Sequence, residues 1–241
     1  MPKAPMEKSS FISAIIVAGG KGRRYGDKTP KQFALLGGKP VIQHSLERFV
    51  TIRNVKEIIV AIPGNYVKYF REKVLSRIES SKPVLIVKGG RTRQDSVFRA
   101  IDSLNPKSDI VIIHDAARPL VGRNEILKLI PVVEKQKAAI LAVPASDTVK
   151  FTSGNTITKT LPRGKVWLAH TPQGFETKLF RRAVAEARKD GFIGTDCSSL
   201  VERLGWQVRV VEDSPKNIKI TTKADLRMSE SLVKIERQKQ S

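Results

Sequence analysis

Three glycines and three cations crowd one short stretch of this chain, Ala18-Gly19-Gly20-Lys21-Gly22-Arg23-Arg24, with Lys28 and Lys31 close behind. Glycine lets a backbone approach a ligand closely, and successive N–H groups in such a turn form an anion-binding nest. The chemistry suits a triphosphate. Two other phosphate loops fail on spacing. G-x-x-x-x-G-K-[ST] is absent, and Tyr25 stands where a dinucleotide fingerprint needs its third glycine. The second strand also ends in Ile62-Pro63 rather than in an acid for a ribose.

Asp115 is the second residue of interest, because it closes a short apolar run and open-sheet sites lie at the carboxyl ends of strands. Metal and thiol chemistry have little to work with. Cys197 is the only cysteine, which excludes an intramolecular disulfide and a cysteine-cluster zinc site. His44, His114 and His170 are scattered, His114 reads as structural, and Cys197 reads as a small packed residue rather than a nucleophile.

The elements that must position these residues follow from apolar spacing. Ile12–Val17 is a β-branched run, as expected of a strand buried on both faces. Pro40 opens a helix with Val41, Ile42, Leu46, Phe49 and Val50 on one side. Strands are expected at 57–62, 84–87, 110–113 and 139–143, alternating with helices at 66–78, 93–104 and 125–135. That rhythm means a parallel sheet covered by helices on both faces. It breaks at Pro144. Residues 144–166 hold two β-like pieces, 148–151 and 156–161, around Ser153-Gly154-Asn155, the signal of an inserted hairpin. A helix near 178–189, strands at 207–211 and 217–220 and a last helix from about Lys223 complete the chain. Residues 1–10 and 237–241 read as tails around one domain spanning 11–236.

Of 241 residues, 40% are hydrophobic, enough for an ordinary core. Lysine and arginine total 44 against 23 acids, and the net charge of +21 calls for an anionic partner. Nucleic acid is the alternative to phosphate esters. Against it, the basic residues spread along the whole length and no aromatic-basic module appears. The longest apolar run, Phe11–Ala18, is far short of the roughly 20 residues that span a bilayer. Its glycine-rich basic sequel favours a strand over a signal peptide, so a cytoplasmic protein without a membrane partner is expected.

Further segments occur in order: Pro30-Lys31-Gln32-Phe33, Gly38-Lys39-Pro40, Gly89-Gly90-x-x-Arg93-x-Asp95-Ser96-Val97, His114-Asp115-Ala116-Ala117-Arg118-Pro119, Asp147-Thr148-Val149-Lys150, Thr171-Pro172-Gln173-x-Phe175, Thr195-Asp196 and Asn217-Ile218-Lys219-Ile220-Thr221. From about residue 12 to 235 the chain resembles the 2-C-methyl-D-erythritol 4-phosphate cytidylyltransferases. The Gly19-Gly20 form is also common in the related ribitol 5-phosphate cytidylyltransferases, which supply the alternative acceptor. The resemblance implies a single Rossmann-like nucleotidyltransferase domain, α/β with a mainly parallel sheet, plus a β-hairpin dimerisation arm at 144–166. It implies CTP and a sugar-alcohol phosphate as substrates, a divalent cation such as Mg2+, and a homodimer.

Site roles carry over residue by residue. Arg24, Lys31, Arg163 and Lys219 are the expected catalytic cations, the first two for the triphosphate. Ala18, Gly19, Gly20, Gly22, Gly89, Gly90, Ser96 and Asp115 are expected to complete the CTP site. Asp115, Arg118, Thr148, Arg163, Thr171, Thr195 and Lys219 are expected to bind the acceptor, with Thr148 and Arg163 serving the partner subunit. Asp115 has three open roles: the acceptor's hydroxyls, the ribose, or the cation, met directly or through water. Arg118 is expected to neutralise Asp115 or touch substrate.

Overall fold

The computed structural model describes residues 10–19, 25–26 and 29–238. The glycine-loop residues Gly20, Lys21, Gly22, Arg23 and Arg24, together with Lys28, lie outside the described residues, as do 1–9 and 239–241 of the expected tails.

Eleven strands and seven helices are described: β1 (Ile12–Val17), β2 (Leu35–Leu36), β3 (Lys39–Pro40), α1 (Val41–Val50), β4 (Val55–Ile62), α2 (Val67–Lys73), β5 (Val84–Lys88), α3 (Arg93–Ile101), β6 (Ile110–Asp115), α4 (Arg123–Gln136), β7 (Ala138–Pro144), β8 (Lys150–Ser153), β9 (Thr156–Thr160), β10 (Trp167–Glu176), α5 (Thr177–Lys189), α6 (Ser198–Glu202), β11 (Arg209–Glu212) and α7 (Lys223–Gln238). Seven strands form the central sheet in the order β11-β7-β10-β6-β1-β4-β5. β1 lies between β4 and β6, parallel to both, which is why its six residues are all buried and all apolar but Ser13. Alternate β1 side chains enter two separate cores. Ala14 and Ile16 pack with α1, α2 and α4 on one face, and Ile15 and Val17 with α3, α5 and α6 on the other.

Three expectations need correction. The region after the hairpin holds β10, a ten-residue strand antiparallel to both β6 and β7. Pro172 and Gly174 disguise it, since both are disfavoured in a central strand. Its pairing with β7 lapses between Ala169 and Gln173, and that lapse accommodates Pro172, while Gly174 is paired on both sides. The expected strand at 217–220 is irregular backbone. Asn217 bonds the Thr171 carbonyl through its side chain and the Ile220 N–H bonds the Ala117 carbonyl, so local bonds replace a ladder. The expected helix at 66–78 is divided, with α2 flanked by 3₁₀ turns at 64–66 and 75–77. At the other end, α7 continues to Gln238, held by Val233 against Leu36, Leu120 and Ile220.

β8 and β9 pair only with each other, and all nine of their residues are exposed. Gly154 turns the hairpin at φ +55°, a conformation that favours glycine.

Candidate active site

Of the predicted residues, Ala18, Gly19, Gly89, Gly90 and Asp115 lie at the carboxyl ends of β1, β5 and β6. Ala18 leaves β1 with its N–H on the Ala61 carbonyl, while its own carbonyl accepts from the buried Gln32 amide at 2.6 Å. That bond seats the Lys31–Phe33 turn against the start of the glycine loop. Lys31 itself lies near the Asp225 carboxylate.

Ser96 is the meeting point on the other side. Its hydroxyl donates to the Thr92 carbonyl at 2.9 Å and accepts from the Gly90 N–H at 3.0 Å. A Cβ on Gly19 would collide with this hydroxyl, and one on Gly89 would come within 3.2 Å of it. Two segments distant in sequence, at Gly19 and at Gly89-Gly90, therefore approach one oxygen, which explains glycine at 19 and 89. Ser96 is wholly buried, with its hydroxyl engaged by the Thr92 carbonyl and the Gly90 N–H. α3 begins here with a capping box, Thr92 with Asp95, which fixes the turn after Gly90.

A cleft of about 230 Å³ opens beside it, lined by Arg93, Asp115, Arg118, Thr171, Thr195 and Lys219 among others. Asp115 is clamped there. Arg93 Nε lies 2.7 Å from one carboxylate oxygen and Lys219 Nζ 2.5 Å from the other. Burial opposes the charged form, but the two cations outweigh it and hold the carboxyl far below the ordinary carboxylate range. Arg93 is held in turn: burial works against its charge, yet Asp115 raises its affinity for the proton. Its Nη1 reaches the Cys197 sulfur at 3.3 Å. Burial pushes the Cys197 thiol pKa up, in keeping with a packing role.

Two assignments change. Arg118 makes no direct ion pair with Asp115. Its guanidinium donates to the carbonyls of Asn217 (2.6 Å) and Ala169 (3.4 Å), while Arg93 and Lys219 take the carboxylate. Thr171 has its hydroxyl occupied. His114 Nε2 must donate to the Arg118 carbonyl, so in the neutral ring Nδ1 accepts from Thr171, whose oxygen accepts from the Asp115 N–H. Burial lowers the His114 pKa to about 4, keeping that ring neutral and structural. Thr148 and Arg163, expected to serve the partner subunit, are exposed and do not line this chain's own cleft; Arg163 donates to the Ser146 carbonyl. Thr195 is exposed at the rim.

Arg93, the Gln173–Asp196 pair and His170 were not among the expected site residues. Gln173 donates to Asp196 at 2.7 Å and accepts from the Cys197 N–H, fixing the loop that carries Thr195. Arg93 and Gln173 stood inside the quoted motifs; His170 carried no signal. Among the described residues no group of three or more His, Cys, Asp or Glu can hold a metal ion. Both Asp115 oxygens already face cations.

A Rossmann-like sheet with glycine turns at its strand ends and a cation-lined cleft beside them defines a nucleotidyltransferase. The comparisons narrow the class. Residues 12–235 match the model of the 2-C-methyl-D-erythritol 4-phosphate cytidylyltransferase (IspD) family, and this chain belongs to that family. The enzyme of that name from Syntrophus aciditrophicus is 42% identical over 226 residues, covering 93% of this chain and 97% of its own. One from Caldanaerobacter subterraneus is 42% identical over 220 residues, covering 91% and 97%. The 4-diphosphocytidyl-2C-methyl-D-erythritol synthase of Anaerococcus prevotii superposes with a TM-score of 0.84 at 30% identity, covering 94% of this chain and 100% of the other.

Proposed function

We propose that this chain transfers the cytidylyl group of CTP to 2-C-methyl-D-erythritol 4-phosphate, giving 4-diphosphocytidyl-2-C-methyl-D-erythritol and pyrophosphate. The observation that carries the reading is Asp115 clamped between Arg93 and Lys219 where the cleft meets the strand ends. A phosphate oxygen of the acceptor attacks the α-phosphorus, a new P–O bond forms, and the bond to the leaving pyrophosphate breaks. The nucleophile is already an anion and needs no base. The obstacle is repulsion between two anions, and fixed cations remove it. Lys219, 41% exposed, turns from Asp115 to the entering phosphate, while the more buried Arg93 keeps Asp115 in place. Arg93 Nη2 and Arg118 Nε are buried without hydrogen-bond partners among the described residues, leaving donor capacity at this end. By family resemblance, Arg24 and Lys31 serve the triphosphate.

Mg2+ asks for few protein ligands and rests largely on phosphates and water. That suits a site whose one candidate carboxylate, Asp115, is already paired; such an ion would offset charge on the triphosphate. We read the compartment as cytoplasmic because the apolar run Phe11–Ala18 is used as the central strand β1. Among the described residues no helix is long and apolar enough to cross a membrane. The two substrates, rather than nucleic acid, are the anionic partners that the charge serves.

Pyrophosphate is expected only when CTP, Mg2+ and the acceptor are combined. Competition at fixed CTP between methylerythritol phosphate and ribitol 5-phosphate identifies the alcohol. Preference for ribitol 5-phosphate, or equal turnover of ATP and CTP, overturns the assignment.

The working unit in this reading is a homodimer joined through the 144–166 arm. Phe151 and Ile157 are 63% and 60% exposed on the hairpin, apolar surface that a partner would cover. Thr148 and Arg163 then reach the partner's cleft. Mixing an inactive Arg24→Ala chain with an inactive Arg163→Ala chain, under conditions of subunit exchange, should restore about a quarter to a half of the activity, since half the sites in each heterodimer would be intact. No rescue would argue against shared sites.

A further inference from the structure

We propose that His170 determines specificity for the acceptor, its Nε2 accepting a hydrogen bond from a hydroxyl of the sugar-alcohol phosphate. The inference rests on the reading of the cleft as the acceptor site. His170 sits where the β10–β7 ladder lapses, and it lines the cleft with Asp115, Arg118 and Lys219. Its Nδ1 lies 2.7 Å from Asp213 Oδ2. The Asp213 side chain is wholly buried and further bonded by Asn217 Nδ2 at 2.7 Å and the Ser214 N–H at 2.8 Å. A carboxylate only accepts, so Nδ1 carries a ring hydrogen, and in the neutral ring Nε2 keeps a bare lone pair. No described residue donates to that atom.

Donor and acceptor accounting points to an alcohol as its partner. Arg93, Arg118 and Lys219 bring only donors to the cleft. Both Asp196 oxygens and Asp115 Oδ1 already accept hydrogen bonds, and Asp115 Oδ2 is taken by Lys219 until that cation turns to the phosphate. Gln173 Oε1 is taken by the Cys197 N–H, and the Thr171 oxygen by the Asp115 N–H. Thr195 has a hydroxyl that can act either way. Among the described residues lining the cleft, Nε2 of the neutral ring is thus the one side-chain acceptor that is uncommitted before Lys219 moves, and afterwards it shares that part only with Asp115 Oδ2. A polyol entering this donor-rich space must place each hydroxyl hydrogen on something, and an unmatched one costs affinity.

The test uses the full chain and steady-state kinetics. His170→Ala should raise the acceptor KM by about five- to tenfold, the worth of one neutral hydrogen bond, with the CTP KM unchanged. His170→Gln, whose amide oxygen can accept, should recover part of the loss. Acceptor analogues lacking single hydroxyls separate binding from mere structure. One analogue should cost the wild-type chain about the same five- to tenfold, and cost His170→Ala nothing further. An unchanged acceptor KM in His170→Ala, or an equal penalty for every analogue in both proteins, overturns the proposal. Should the wild-type chain use ribitol 5-phosphate instead, the assignment under Proposed function falls while the hydroxyl test proceeds with that alcohol. Turnover with neither alcohol overturns both.

Discussion

Lys219→Ala lowers kcat/KM for the acceptor by about 10²–10³, on the order of 3–4 kcal/mol of transition-state stabilisation, and leaves the CTP KM nearly unchanged. The expectation comes from how the Asp115 clamp divides its labour. Arg93 is 24% exposed at its side chain and anchored at the Cys197 sulfur, whereas Lys219 is 41% exposed with a single carboxylate partner. The mobile cation is therefore the one free to exchange Asp115 for a phosphate. Its loss leaves Asp115 paired with Arg93, so the fold should survive and the melting temperature should move little. Lys219→Arg should recover part of the rate, because a guanidinium keeps the charge but changes the reach and geometry. The measurement is initial rates of pyrophosphate release with each substrate varied in turn. Acceptor kinetics indistinguishable from wild type would remove Lys219 from the reaction.

Gly90→Ala is expected to be the most damaging single-methyl change in the proposed CTP site. A Cβ there collides with the Asp95 Cβ and would lie 2.9 Å and 3.1 Å from the Asp95 carbonyl carbon and Cα. These are atoms of the first turn of α3, fixed by the Thr92–Asp95 capping box, and they cannot simply rotate away. Either α3 shifts or the turn opens, and both break the Gly90 N–H bond to Ser96. Overpacking of this kind costs about 1–3 kcal/mol of stability. The CTP KM should rise about tenfold or more, as displaced pocket walls lose a contact or two of ordinary strength. Gly89→Ala is the internal comparison. Its new atom would meet the Ser96 oxygen at 3.2 Å and the Ile62 carbonyl at 3.4 Å, a tight contact that small shifts relieve. Paired melting curves and CTP titrations should rank Gly90→Ala well below Gly89→Ala. The reverse order would mean that the Gly90 turn does not form the pocket wall.

The rank of residues by chemical type was legible before any coordinates, and the partners they choose were not. Asp115 and Lys219 stand 104 residues apart, and nothing local announces that they meet. Arg118, three residues from Asp115, looks like its natural counter-ion. Yet its guanidinium turns instead to the carbonyls of Asn217 and Ala169. Thr171 was expected to bind substrate, but the same packing places its hydroxyl between His114 and the Asp115 N–H.

Periodic burial is what made the scaffold readable. β1, β4, β6 and β7 are apolar runs because helices cover both sheet faces, and α1, α3 and α5 show one apolar side because each covers only one. Gly19, Gly89 and Gly90 were readable because each marks a backbone approach that a Cβ would obstruct. What only the folded chain decided was β10, its antiparallel direction and the lapse that exposes His170 to the cleft. Residue type and spacing record what each segment does to its own neighbours in sequence. Pairing across the sheet, and the choice of one counter-ion over another, depend on distances that exist only after every layer has closed.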